Sequence, residues 1–132
     1  MFTETYQLTI LAFGLTGLLL LIQMLVADFA GMGAKHTPGH PVPADHGSFF
    51  FRAVRAQANT NESIAVFILL ALFGMLGGAA PAALGWSAMV YVAGRAGHMV
   101  FYYAGIGLAR SICFGIALLG LAAMAVIGFM AL

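Results

Sequence analysis

RAQANTNESIAVFILLALFG, residues 55–74, reads as one continuous helix whose first half is polar and whose second half is not. Residues 64–73 carry no charged or amide side chain and suit a hydrocarbon environment, whereas Arg55, Asn59 and Glu62 precede them. Separations of four, three and seven residues put these three groups on one helical face. An ionisable group inside an apolar span costs about 3 kcal/mol or more unless it is paired or hydrated. Such a face marks a polar site within a membrane bundle.

The rest of the 132-residue chain fits that setting. It is 63% hydrophobic and 7% charged, with a mean hydropathy of +1.04, which excludes an ordinary soluble globule and points to several membrane spans. The apolar run over residues 8–27 is long enough to cross a bilayer, and it follows Glu4 without a basic leader, so a first span is expected rather than a cleaved signal. Pro38, Pro41 and Pro43 make the following segment a loop, and Gly74, Gly77, Gly78 and Pro81 mark a second turn. The fold class expected is an all-α integral membrane protein, a single domain over residues 1–132. Its four transmembrane helices fall at about 6–34, 48–75, 83–104 and 109–131.

Lys35, Arg52 and Arg55 flank the first loop and Arg110 follows the third, while the second loop and both ends of the chain lack Lys and Arg. Loops one and three are therefore expected on the cytoplasmic side and both termini on the other. A net charge of +1 gives no reason to expect a nucleic-acid partner. Glycines within the spans, among them Gly94, Gly97, Gly115 and Gly120, fit close helix approach.

A second polar row, Arg95, His98 and Tyr102, has the same helical spacing on the third span. Counted at about 1.5 Å per residue, Glu62 lies roughly 15 Å beyond Arg52 and Arg95 roughly 12 Å from Tyr103, so antiparallel helices bring the rows level. The expected pocket has Glu62 and Arg95 as a structural ion pair on its floor, Asn59 with His98 in the middle, and Arg55 with Tyr102 at the mouth beside Arg110. Arg52 is expected to snorkel to lipid headgroups. His98 reads either as an interhelical hydrogen bonder or as a ligand contact, and Tyr102 either as an interfacial anchor or as a ligand contact.

Other chemistries find little support. His36, His40 and His46 lie in a proline-broken loop without acidic or cysteine partners at helical spacing, so no metal site is expected. Cys113 is the only cysteine, which rules out an internal disulfide or CxxC pair. No phosphate-binding glycine loop or hydrolase nucleophile motif occurs. A basic pocket with amide groups suits a small anion whose carboxylates meet arginine and whose amides meet asparagine, with an apolar partner arriving from lipid. Glutathione has that chemistry.

The stretch Arg55-Ala56-Gln57-Ala58-Asn59-Thr60-Asn61-Glu62 resembles the RAxxNxxE signature of MAPEG, the membrane-associated proteins in eicosanoid and glutathione metabolism. Residues 94–102, from Gly94 to Tyr102, and Arg110-Ser111 resemble that family's third- and fourth-helix motifs. The resemblance implies a homotrimer with glutathione as cosubstrate at subunit interfaces. It gives Lys35, Arg55, Asn59, Glu62, His98 and Tyr102 as glutathione-binding residues, Arg110 as the thiolate-stabilising arginine and Ser111 as its helper. It also implies a glutathione transferase or peroxidase acting on lipophilic electrophiles. The alternative is a noncatalytic lipid-binding scaffold of the same family. Phe114 stands where some members have tyrosine, and His98 is more similar to the microsomal glutathione transferase and prostaglandin E synthase branches than to the leukotriene C synthase branch.

Overall fold

Without proline between Gln7 and Gly33, the first apolar run is free to form an unbroken helix, and it does so in the computed structural model, which describes residues 1–132. The elements are α1 (Phe2–Thr5), α2 (Gln7–Gly33), α3 (Phe49–Leu76), α4 (Pro81–Ala104) and α5 (Gly107–Phe129), with no strand. Tyr6 interrupts α1 and α2, and its hydroxyl donates to the Ala79 carbonyl at 2.9 Å, tying the start of the chain to the loop between α3 and α4.

Local chemistry sets the helix ends. Ser48 caps α3 by accepting from the Phe51 amide at 3.4 Å. Pro81 opens α4, two residues before the expected start, because a first-turn proline loses no intrahelical hydrogen bond. Gly105, at φ 75°, closes α4. The Ile106 amide returns to Phe101 O at 2.9 Å and the Gly105 amide to Tyr102 O at 3.1 Å, a Schellman arrangement. Only Gly105 and Ile106 then separate α4 from α5, which is why α5 starts at Gly107 rather than 109.

α2, α3 and α5 are long and apolar enough to cross a membrane. α4 is as long, since its 24 residues span about 36 Å at ~1.5 Å each, but Arg95, His98 and its tyrosines make it more polar. Most of those groups are on its packed face. Leu84, Ala88, Tyr91, Arg95, His98 and Tyr102, spaced alternately by four and three, form its buried stripe. α3 buries Ala53, Ala56, Thr60, Phe67, Ala71 and Gly74 in the same rhythm. Only 30 of 132 residues are buried, and Leu69, Leu119 and Trp86 are each more than 60% exposed, so the outer surface is an apolar jacket suited to lipid or to further chains.

α4 and α5 approach at backbone distance. A β-carbon on Gly94 would lie 2.6 Å from Ala117 N, and one on Gly120 would lie 2.7 Å from Tyr91 N. Small residues thus permit the contact, as in membrane interfaces where packing drives association.

The first and third loops share one end of the bundle. Arg52, near the start of α3, donates through Nη1 to His46 O at 2.8 Å and through Nε to Tyr103 O at 3.3 Å. It fastens the first loop to the end of α4 instead of snorkelling, because two backbone carbonyls lie within reach of one guanidinium. Arg52→Ala is expected to lower stability by about 1–3 kcal/mol and to hasten cleavage within residues 37–47. Thermal melting and limited proteolysis in detergent check this, and unchanged cleavage would refute the clamp.

Candidate functional site

The offset of about one residue, roughly 100°, between the small-residue stripe of α3 and its polar row decides where the cleft forms. Thr60 faces α4 and is fully buried, while Arg55 and Asn59 sit at the edge of the packed face. The tight turn at Gly105 brings Tyr102, near the end of α4, beside Arg110, in the first turn of α5. A cleft of about 200 Å³ opens between the three helices, lined by Arg55, Asn59, His98, Tyr102, Arg110, Ser111 and Phe114.

Arg110 lies with its Cζ 4.3 Å from the Tyr102 ring centroid. Cations held this way over an aromatic face gain about 0.5–2 kcal/mol, depending on how dry the site is. His98 packs edge-on to Tyr102 at 5.4 Å and tilts against Phe114 at 6.2 Å. It is 3% exposed, and its Nδ1 has no protein partner. Ser111 donates to Gly107 O at 3.0 Å, which commits its proton and leaves its oxygen as an acceptor.

The floor differs from the sequence expectation. Glu62 does not pair with Arg95; its Oε1 lies 3.6 Å from Arg55 Nη1, two turns back along the same helix. Arg95 Nη2 instead donates to Asn59 Oδ1 at 2.7 Å and to Thr60 Oγ1 at 3.1 Å. The reason is rotational: Thr60 occupies the α4-facing side of α3, and Glu62 lies outside it, with its side chain 60% exposed. Glu62 therefore lies against Arg55 and does not line the cleft.

Lys35 also stands apart from the cleft. It follows α2 with φ 56° and lines a separate first-loop depression together with His36, His40 and Asp45. The chain path after Gly33 carries it there, and no periodicity could have fixed that path. The loop histidines have diverse neighbours. His36 Nε2 bonds with His40 O at 3.0 Å, and His46 stacks on Tyr102 with ring centroids 6.1 Å apart. Sequence reasoning missed the inward-facing Thr60 and weighed His46 only as a metal ligand, not as a neighbour of Tyr102. The small-residue rhythm of α3 could have found Thr60, but nothing in the sequence placed His46 beside Tyr102.

Electrostatically, the cleft and its supports contain three guanidinium groups, Arg55, Arg95 and Arg110, against one carboxylate, Glu62. The excess favours an anion. The unpartnered buried His98 Nδ1 and Arg95 Nε add polar capacity, and Phe114 supplies an apolar wall. At about 200 Å³ the cleft is smaller than the ~300–1,000 Å³ common for small-molecule sites.

Comparison with known protein families matches residues 8–130 to the MAPEG family. No curated protein matches the chain.

Proposed function

We propose that this chain, which belongs to the MAPEG family, is a membrane-bound glutathione transferase or peroxidase acting on lipophilic electrophiles. The observation carrying this reading is the convergence of Arg110, Arg55, Asn59, His98 and Tyr102 on one cleft with surplus positive charge. Arg55 and Asn59 hold the peptide portion of glutathione, with Glu62 steadying Arg55. His98 and Tyr102 complete the wall, and Arg110 stabilises the thiolate with Ser111 alongside.

Four membrane-spanning helices, a homotrimer and cytoplasmic first and third loops belong to the same proposal. The small volume of the cleft supports completion by a second copy, and His98 supports a kinship with the microsomal glutathione transferase and prostaglandin E synthase branches. In transfer, the thiolate sulfur forms a carbon–sulfur bond as the electrophile's leaving group departs with the bonding pair. In peroxide reduction, two glutathione thiols become a disulfide while the hydroperoxide becomes an alcohol and water.

The alternative is a noncatalytic lipid-binding scaffold, favoured by Phe114, whose ring brings no hydroxyl to the cleft. Purified protein is expected to conjugate glutathione to a chloronitrobenzene. Glutathione at a hundredfold excess over its dissociation constant is expected to add about 2.7 kcal/mol of stability. Stabilisation by glutathione argues against the scaffold, whereas the absence of both responses favours it and removes glutathione from the assignment.

A further inference from the structure

Arg95 is 1% exposed and does not line the cleft, yet it touches a residue that does. Its Nη2 donates to Asn59 Oδ1 at 2.7 Å and to Thr60 Oγ1 at 3.1 Å, and its Cζ lies 5.8 Å from the Phe114 ring centroid. Thr60 is itself anchored, since its hydroxyl donates to Ala56 O at 3.2 Å. The guanidinium is therefore held between two cleft-lining side chains, Asn59 and Phe114, and one fixed hydroxyl.

A primary amide has an accepting end and a donating end, and rotation by half a turn exchanges them with little change of shape. Guanidinium offers donors only. Turned around, Asn59 would set its NH₂ against the arginine and leave the Nη2 proton that faces it without an acceptor in a part-buried site. The observed orientation is thus dictated by its partner. It leaves Nδ2, which makes no hydrogen bond within the protein, as the end of Asn59 available to the cleft.

We propose that Arg95 is a positioning residue that fixes the Asn59 amide with its NH₂ towards the cleft, so that this wall selects a ligand bearing a carbonyl or carboxylate oxygen there. This rests on the glutathione reading for the identity of the ligand but not for the orientation of the amide. It also gives Arg95 a purpose that a plain tie between α3 and α4 does not. A tie needs only a bond, whereas selection needs the bond's direction.

Direction and tie separate experimentally. Asn59→Asp keeps an acceptor for Arg95 and strengthens that contact, while replacing the donor facing the cleft by an acceptor. It is expected to melt no lower than wild type yet to bind glutathione about tenfold or more weakly in calorimetry. Arg95→Lys retains a donor-only partner and is expected to keep affinity within about threefold, whereas Arg95→Gln, which can present either amide end, weakens it by about tenfold. Equal affinity losses in the two Arg95 variants, or undiminished binding by N59D, would overturn the proposal.

A second measurement needs no ligand. The chain has only two asparagines, Asn59 and Asn61, so asparagine-selective ¹⁵N labelling gives two side-chain amide pairs, assigned by their loss in N59D. One Asn59 pair in wild type and R95K, but two in R95Q, supports orientation by Arg95. An identical single pair in all three refutes it. Should that amide pattern hold while wild type fails to bind glutathione, the proposed function falls and the positioning role stands.

Discussion

Arg110→Ala is expected to lower the thiolate fraction of bound glutathione at pH 7 by about 8- to 30-fold, with most of the deficit disappearing near pH 9. A free thiol ionises near pKa ~8.5, so about 3% is thiolate at neutrality. A neighbouring arginine lowers such a pKa by about 1–3 units. A shift of two units makes most of the bound thiol ionised at pH 7, and beyond that the gain saturates because the fraction cannot exceed one. A more acidic thiolate is also a poorer nucleophile, with a Brønsted coefficient of about 0.4–0.5, so a two-unit shift gives back about 6- to 10-fold and the conjugation rate falls by only about threefold.

The sign follows from these quantities. Arg110 stabilises the ionised form, so its contribution is greatest below the free thiol's pKa and is lost as rising pH ionises the thiol without help. Thiolate absorbance and conjugation rate, followed together across pH, check this. A deficit as large at pH 9 as at pH 7 would move Arg110 from thiolate stabilisation to some other task. The position of its guanidinium over Tyr102, 4.3 Å from the ring centroid, makes Arg110→Lys a useful intermediate. Lysine keeps the charge but loses the planar group that stacks on the ring.

The second large effect concerns stability. Gly94→Ala is expected to cost about 1–3 kcal/mol, and Gly94→Leu more, because overpacking cannot be relieved by a side-chain rotation here. The obstructing atoms are the backbone N and Cα of Ala117, at 2.6 and 2.9 Å, with its Cβ also at 2.9 Å. Separating them means separating α4 from α5. Gly115 is the contrast, since a β-carbon there meets nothing within 4 Å. Gly115→Ala is expected to be neutral or to stabilise by up to about 1 kcal/mol through reduced backbone freedom. Melting of the three variants in one detergent decides the matter, and equal behaviour of G94A and G115A would contradict the close helix approach.

Much of this arrangement was legible in the sequence because helical rotation is regular. Arg55 with Asn59, and His98 with Tyr102, are each one turn apart, so whichever helices they occupy, each pair shares a face. Arg110 was found through its motif, and its proximity to Tyr102 follows from a two-residue connection closed by Gly105. Periodicity failed at the next level of detail. It identified the polar row of α3 but not the neighbouring stripe of alanines and Thr60 that packs inward, so Glu62 was aimed at Arg95 when the inward acceptors are Asn59 and Thr60. Side-chain pairing depends on rotation by a single residue, about 100°, which a pattern of threes and fours tolerates. Lys35 and His46 lie outside helices, where no repeating rule applies.

The glycine contacts between α4 and α5 also bear on how the cleft changes size. Helices meeting through main-chain atoms have no compressible layer between them, so His98, Tyr102, Arg110, Ser111 and Phe114 belong to one fixed jaw. Arg55 and Asn59 ride on the opposing jaw, α3, which is tied across by the Arg95–Asn59 bond. Because the Arg95–Asn59 bond joins the two sides, a guest must fit between them rather than part them.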